Sequence, residues 1–130
     1  MASTYLSKTF GTSSSAGKKT FTLSVWIKKT KIHGGSGASR IMTTSDNSSY
    51  DDLFQFEGND RFKVVFDNTH VLSTDRRFRD TNAWYHIVFQ MDTTQATASN
   101  RMKLWVNGVQ ETSFNTATYP SQNAEVTFGD

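Results

Sequence analysis

The segment Thr20–Lys28 alternates strictly in its pattern of side chains. The odd-numbered positions are all apolar, namely Phe21, Leu23, Val25 and Ile27. The even-numbered positions are polar except for one large aromatic residue, Trp26. In an α-helix the apolar residues of one face recur every three or four positions, whereas in a β-strand they recur every second position. The segment is therefore predicted to be a β-strand with one buried face.

The composition extends the β prediction to the rest of the chain. Ten Phe and three Trp residues suit pleated, half-buried surfaces, and no long segment has apolar residues at helical spacing. The 130 residues suit a single domain spanning 1–130. With no cysteine in the sequence, disulfides and thiolate metal sites are excluded.

Two hairpins are predicted from turn residues between apolar runs. Leu53–Glu57 and Arg61–Asp67 face each other across Gly58-Asn59-Asp60. Met102–Val106 and Val109–Phe114 flank Asn107-Gly108, the preferred pair for a type I′ turn. That turn places Leu104 opposite Glu111, so the second strand is expected to bend or to reach a sheet edge there.

Other segments have weaker patterns. Ala83–Asp92 is almost continuously apolar and is predicted to be a central strand covered on both faces. Short strands are also expected at the following ranges: Tyr5–Phe10, Arg40–Thr44, Thr69–Ser73 and the stretch beginning at Ala124–Phe128.

The charge balance excludes some functions. Fourteen basic and twelve acidic residues give a net charge of +2, too small to indicate a nucleic-acid partner. Met1–Leu6 lacks the basic and apolar stretches of a signal peptide, and no apolar run approaches the roughly 20 residues of a membrane span. We expect a soluble protein without membrane insertion.

Three motifs carry a family resemblance. Phe21–Lys28, Trp84-Tyr85-His86-Ile87-Val88 and Lys103–Val109 together resemble the signature of concanavalin A-like and laminin G-like domains. The segments Tyr5–Thr9, Asp92–Arg101 and Ala117–Asn123 are similar to a subset of these domains in marine bacteriophages.

The resemblance implies an all-β fold, an antiparallel two-sheet β-sandwich of the jelly-roll type. Related domains usually run past this length. The chain is therefore expected to be a shortened domain or the N-terminal part of a longer chain, with an open edge that a partner covers.

Enzymatic chemistry is not expected. Glycosidases need two suitably spaced carboxylates, and the Glu-x-Asp-x-x-Glu string of laminarinase-like relatives is absent. Tyr85 and His86 would point to opposite faces of a strand, which argues against lyase chemistry.

Calcium is the one cofactor left open. The resemblance implies a rim site built from Asp side chains, and the candidate ligands are Asp46, Asp67 and Asp92, beside Asn47 and Asp75. The alternative is that these residues only form turns.

Five residues are candidates for a ligand or protein interface. Trp26 and Trp105 lie on the polar sides of their strands, either to stack on sugars or to be buried by the second sheet or a neighbouring subunit; burial is the preferred interpretation. Arg76, Arg77 and Arg79, like Lys28, Lys29 and Lys31, are interpreted as solvated strand ends, with anionic surface glycans as alternative ligands.

The function implied by the resemblance is that of a non-enzymatic phage virion protein, a tail-fibre or appendage module or a capsid decoration. It would be assembled in the host cytoplasm, form a homo-oligomer, and contact other virion proteins and host surface glycans. The alternative is a lectin-like carbohydrate-binding module of a secreted or adhesive protein.

Overall fold

The computed structural model describes residues 18–45 and 51–126. The strands in chain order are β1 (Thr20–Lys28), β2 (Ser39–Ser45), β3 (Asp51–Phe56), β4 (Arg61–Phe66), β5 (His70–Arg77), β6 (Trp84–Asp92), β7 (Met102–Val106), β8 (Val109–Gln110) and β9 (Phe114–Thr118). A single 3₁₀ turn, Ala98–Asn100, precedes β7. The strand predicted at Tyr5–Phe10 lies outside the described residues, and residues 124–126 are not in a strand.

The described strands form two antiparallel sheets. Sheet I has the order β1-β6-β7-β8, and sheet II has the order β2-β3-β4-β5-β9. This all-β, two-sheet architecture is the predicted jelly-roll sandwich.

The core lies between the two sheets and is rich in phenylalanine. In β1 the odd-numbered residues pack against it, as the alternation predicted. Phe54 and Phe66 from sheet II contact Phe89 from sheet I at ring-centroid distances of 5.4 and 5.6 Å. Burying such large apolar side chains from both sheets is the main force that holds the sheets together.

Both predicted hairpins are present, but the strand predicted at Val109–Phe114 extends only over Val109–Gln110, and Phe114 begins β9 in the other sheet. In the first, Phe54 pairs with Val64, and Phe56 pairs with Phe62. In the second, Asn107 and Gly108 have φ values of 52° and 81°, as a type I′ turn requires. Val106 pairs with Val109 as predicted.

Glu111 marks the point where the chain leaves sheet I. Its N–H donates to the carbonyl of Leu104 over 2.8 Å, but β8 ends at Gln110, and the next strand, β9, pairs with β5 in sheet II. The Glu111 side chain is buried and lies 2.8 Å from Arg76 Nε. This ion pair compensates the buried carboxylate. The bend expected at Glu111 is confirmed, because the chain leaves β8 there and continues into sheet II.

The prediction that Ala83–Asp92 is covered on both faces is wrong. Ile87, Phe89 and Met91 face the core of the sandwich, but Trp84 on the opposite face is 58% exposed. Both faces of β6 carry apolar residues, which makes the apolar run continuous, but only one of the two faces packs against the other sheet.

Candidate functional site

The outward-pointing side chains of sheet I form a surface that we call the outer face. Strand register places these residues on it: Thr20, Thr22, Ser24, Trp26, Lys28, Trp84, His86, Val88, Gln90, Asp92, Lys103, Trp105 and Gln110. All three tryptophans of the chain therefore lie on one side of one sheet. Trp105 and Trp26 were identified from alternation alone, whereas Trp84 was hidden in an apolar run.

Trp26 and His86 stack on the β1–β6 side of this face. They are directly opposed on β1 and β6, and their rings lie 4.7 Å apart at an interplanar angle of 12°. Ser24 Oγ and His86 Nε2 share a hydrogen bond of 2.8 Å, and the His86 N–H donates to Asn107 Oδ1 over 2.8 Å. The bond to Ser24 orients the imidazole that supports the indole ring, while the bond to Asn107 fixes the backbone of His86.

The second sheet does not cover these rings. Trp26 is 63% exposed, so its burial by the second sheet, one of the two forms of burial that the sequence interpretation preferred, is wrong. Alternation distinguishes the two faces of a strand, but it does not say which face packs against the other sheet. In β1 the face that carries Leu23, Val25 and Ile27 packs against sheet II. Trp105, opposite Val88, is half-buried.

A pocket of about 210 Å³ opens beside the outer face, at the edge of sheet I. We call it the edge pocket. It is lined by Ser99, Asn100, Met102, Lys103, Gln110, Glu111, Thr112, Phe114 and Tyr119. Burial raises the pKa of the Tyr119 hydroxyl, so this side chain remains a neutral donor at ordinary pH.

Comparison with known families agrees with this geometry. The sequence model described as the concanavalin A-like lectin/glucanases superfamily matches residues 3–130. The chain belongs to this superfamily. No curated protein and no solved structure matches the sequence.

In this member of the concanavalin A-like superfamily, the three predicted arginines do not form a groove. Arg76 pairs with Glu111, the Arg77 guanidinium lies 3.5 Å from the Asn59 carbonyl, and Arg79 Nε donates to Asp60 Oδ2 over 3.2 Å. Each side chain has its own local acceptor. The three side chains are exposed, as expected for solvated strand ends. Their guanidinium groups nevertheless contact groups of the same chain.

The prediction that Lys29 is a solvated strand end is wrong. Lys29 is 3% exposed; its ammonium group pairs with Asp60, donates to the Phe78 carbonyl over 3.1 Å, and lies over the Phe56 ring. Asp60 also accepts a hydrogen bond from the His33 N–H at 3.0 Å. The sequence around Lys28, Lys29 and Lys31 does not indicate that Lys29 is buried, because its partner Asp60 is distant in sequence.

The pKa of Asp60 is lowered to about 2. Burial alone raises it, but the His33 N–H, the Lys29 ammonium and the Arg79 guanidinium together favour the carboxylate more strongly. Asp60 is therefore a structural anion joining the end of β1 to the turn between β3 and β4.

The predicted calcium ligands are not brought together. Asp46 lies outside the described residues. Asp67 directly follows β4 in sheet II and Asp92 is the last residue of β6 in sheet I, and Asp92 accepts hydrogen bonds from Thr94 and Gln95, which lower its pKa. In the part of the chain that the structure describes, no three His or acidic residues converge on a metal position.

Within residues 18–45 and 51–126, no helix has both the length and the apolar character needed to cross a bilayer.

Proposed function

We propose that this chain is a non-enzymatic binding module of a bacteriophage virion surface, and that it docks through the outer face onto a neighbouring virion subunit. The module would serve in a tail fibre or appendage or as a capsid decoration. Membership of a superfamily that contains lectins supports a binding role. The phage setting rests on the similarity of Asp92–Arg101 and Ala117–Asn123 to phage domains.

The observation that carries the proposal is the exposure of Trp26 and Trp84 on the same face of sheet I. Large exposed aromatic residues are unfavourable in water and are enriched at the centres of protein interfaces, where they contribute much of the binding free energy. Around them lie polar side chains such as Ser24 and Gln90, which suit the rim of an interface.

The chemistry of the outer face favours binding over hydrolysis. Among the described strand residues of sheet I, Asp92 is the one carboxylate on that face, at the far end of β6 from the tryptophans. Both of its oxygens accept hydrogen bonds from neighbouring residues. Glycoside hydrolysis needs two carboxylates on either side of the scissile bond.

Saccharide binding is the second candidate. It is favoured by the near-parallel stack of Trp26 on His86, which presents a flat, fixed ring of the kind on which a pyranose packs its C–H face. Lys28 and Ser24 are close enough along β1 to supply hydrogen bonds to hydroxyl groups.

Docking onto another subunit is tested by the mass of the purified chain in solution, measured by light scattering at several concentrations. We expect a closed homo-oligomer, and we expect Trp26→Ser with Trp84→Ser to shift it to monomer. Val109→Ser is the matched control, since Val109 is exposed on the hairpin but is not on the outer face. A wild-type monomer that binds a defined glycan on an array would favour the second candidate instead.

The virion setting is tested separately. Peptides of this chain should be recovered in many copies from purified particles of the virus that encodes it, and gold-labelled antibody should decorate the particle surface. Recovery from the infected cell but not from the particle would overturn this part of the proposal.

A further inference from the structure

The side chain of Asn107 continues the hydrogen-bond ladder between β6 and β7. The Asn107 N–H donates to the His86 carbonyl over 2.8 Å, and the His86 N–H donates back to Asn107 Oδ1 over 2.8 Å. The side-chain oxygen thus takes the place of a main-chain carbonyl where the chain turns into β8. Because β7 lies between β6 and β8, the carboxamide is held toward β6 while Gly108 leads the chain away from it.

The residue that follows Asn107 leaves its main-chain nitrogen unshielded. Asn107 is the only asparagine of the chain that precedes a glycine, and both residues of the turn are exposed. Apart from its chain neighbours, no atom lies within 4 Å of the position that a Cβ of Gly108 would take. In the described part of the chain the Gly108 N–H has no hydrogen-bond acceptor. Water and hydroxide therefore have free access to this nitrogen.

An asparagine beside such a nitrogen can lose its amide group without an enzyme. The deprotonated Gly108 nitrogen attacks Asn107 Cγ, so that the N–Cγ bond forms and the Cγ–Nδ2 bond breaks with release of ammonia. Water then opens the resulting succinimide. Opening at Cγ leaves aspartate, whereas opening at the main-chain carbonyl leaves isoaspartate, in which the main chain runs through Cβ and Cγ. The net reaction consumes water and releases ammonia.

We propose that Asn107 is a site of spontaneous deamidation, and that local opening of the β7–β8 hairpin controls its rate. While Oδ1 accepts the His86 N–H, the carboxamide carbon is held away from the Gly108 nitrogen. The hairpin is weak at this end, because β8 has two residues and Val109 is 63% exposed. Elements with few buried contacts open locally at a low free energy. Each opening frees the carboxamide to turn toward the attacking nitrogen.

The isoaspartate product cannot restore the native ladder. Its main chain is longer by one carbon between Val106 and Gly108, so the acceptor for the His86 N–H no longer lies at the ladder position. The His86 ring supports Trp26 at a centroid distance of 4.7 Å, so modification of the turn alters the outer face. The reaction needs no partner molecule, and the inference therefore goes beyond the proposed function and does not depend on it.

The test follows deamidation of the full chain at mildly alkaline pH, both folded and unfolded in urea. Trypsin cleaves after Lys103 and leaves residues 104–130 as one peptide, which contains Asn107, Asn115 and Asn123. Fragment-ion mass spectrometry locates the mass increase of an amide-to-acid conversion, and an isoaspartate-specific methyltransferase identifies isoaspartate. Asn123 is the matched control, because it also has a positive φ, 61°, but is followed by alanine.

In urea we expect Asn107 to convert several times faster than Asn115 and Asn123. In the folded chain we expect Asn107 to convert more slowly by about fivefold or more, as the loss of one hydrogen bond on opening implies. In the purified isoaspartate form, the His86 N–H should exchange with solvent faster than in the unmodified chain, because its acceptor has moved. Amide hydrogen exchange followed by NMR measures this difference.

Two exposed strand residues provide a matched pair of variants. Val109→Gly weakens β8 and should speed the conversion of Asn107 in the folded chain by about threefold. Thr116→Gly makes a similar change on β9, away from the hairpin, and should leave the rate unchanged. Far-ultraviolet circular dichroism before the incubation shows that each variant is folded.

Three results would overturn the inference. The first is conversion of Asn107 in urea no faster than that of Asn115 and Asn123. The second is an equal rate at Asn107 in the folded and the unfolded chain. The third is an equal effect of Val109→Gly and Thr116→Gly on that rate. The oligomer and virion tests use freshly purified material, so their outcomes are independent of these.

Discussion

The Lys29 ammonium and the Asp60 carboxylate form a buried ion pair that joins sheet I to sheet II. Lys29 directly follows β1, and Asp60 lies in the turn between β3 and β4 with a φ of 67°. Removing one member of a buried pair is costly because the other charge remains without its partner in a medium of low polarity.

We predict that Lys29→Met lowers the free energy of unfolding by about 3 kcal/mol, because Asp60 would keep a buried negative charge whose remaining charged partner, Arg79, is partly exposed. Lys28→Met is the matched control, since Lys28 is the exposed neighbour and its loss should change stability by about 0.5 kcal/mol or less. Urea unfolding followed by circular dichroism measures both. Equal losses in the two variants would contradict the structural role of Lys29.

The same ion pair makes the free energy of unfolding depend on pH in the acid range. The pKa of Asp60 falls from an ordinary value of 3.8 to about 2 on folding, so its contribution, on the order of 2 kcal/mol, is fully present above the unfolded pKa. It is lost as the pH falls through the folded pKa, because the unfolded chain binds the proton more readily. The difference in unfolding free energy between wild type and Asp60→Asn should therefore shrink below pH 3.8. If the difference in unfolding free energy stayed constant down to pH 2, the Asp60 carboxylate would not be the source of the stabilisation.

Trp26 and Phe89 should respond very differently to truncation. Trp26→Ala removes an exposed ring and its stack on His86, and should cost about 1 kcal/mol. Phe89→Ala opens a cavity between the sheets and should cost about 3–5 kcal/mol. Thermal unfolding of the two variants measures both losses. A similar loss in both would mean that Trp26 packs in the core of the folded chain.

The turn at Asn107 has two separable requirements, a positive φ and an acceptor for the His86 N–H. Asn107→Asp keeps both and should change stability by about 0.5 kcal/mol or less. Asn107→Gly keeps only the backbone conformation and should cost about 1 kcal/mol. Asn107→Val loses both and should cost about 2 kcal/mol or more. Urea unfolding of the three variants tests this order; a Gly variant as stable as the Asp variant would show that the amide acceptor contributes nothing.

Local patterns predicted most of the strands and turns, but they missed β9 and extended the strand at Val109 to Phe114 although it ends at Gln110. The alternation at Thr20–Lys28 and the Asn107-Gly108 pair each act within one or two elements, where side-chain period and backbone preference determine the structure. The expected bend at Glu111 followed from the same register argument. These predictions needed no knowledge of how the two sheets meet.

The site could be predicted only in part. Trp26 and Trp105 were identified as candidates, but their shared face with Trp84 depends on the order of strands within sheet I, which no local pattern encodes. Lys29 and Asp60 come together from different sheets, so the lysine run suggested solvent exposure. The edge pocket depends on a strand ending early and the chain changing sheets, which only the tertiary structure determines.

The ladder between β1 and β6 has a consequence for how the chain folds. It pairs Thr20 with Asp92, so nearly all of sheet II lies within the intervening loop. The hairpins around Gly58-Asn59-Asp60 and Asn107-Gly108 close short loops and can form quickly, whereas β1 must wait for a long loop to close at a much greater entropic cost. The exposed tryptophan surface spans β1, β6 and β7, so we expect it to be completed only after the hairpins have formed.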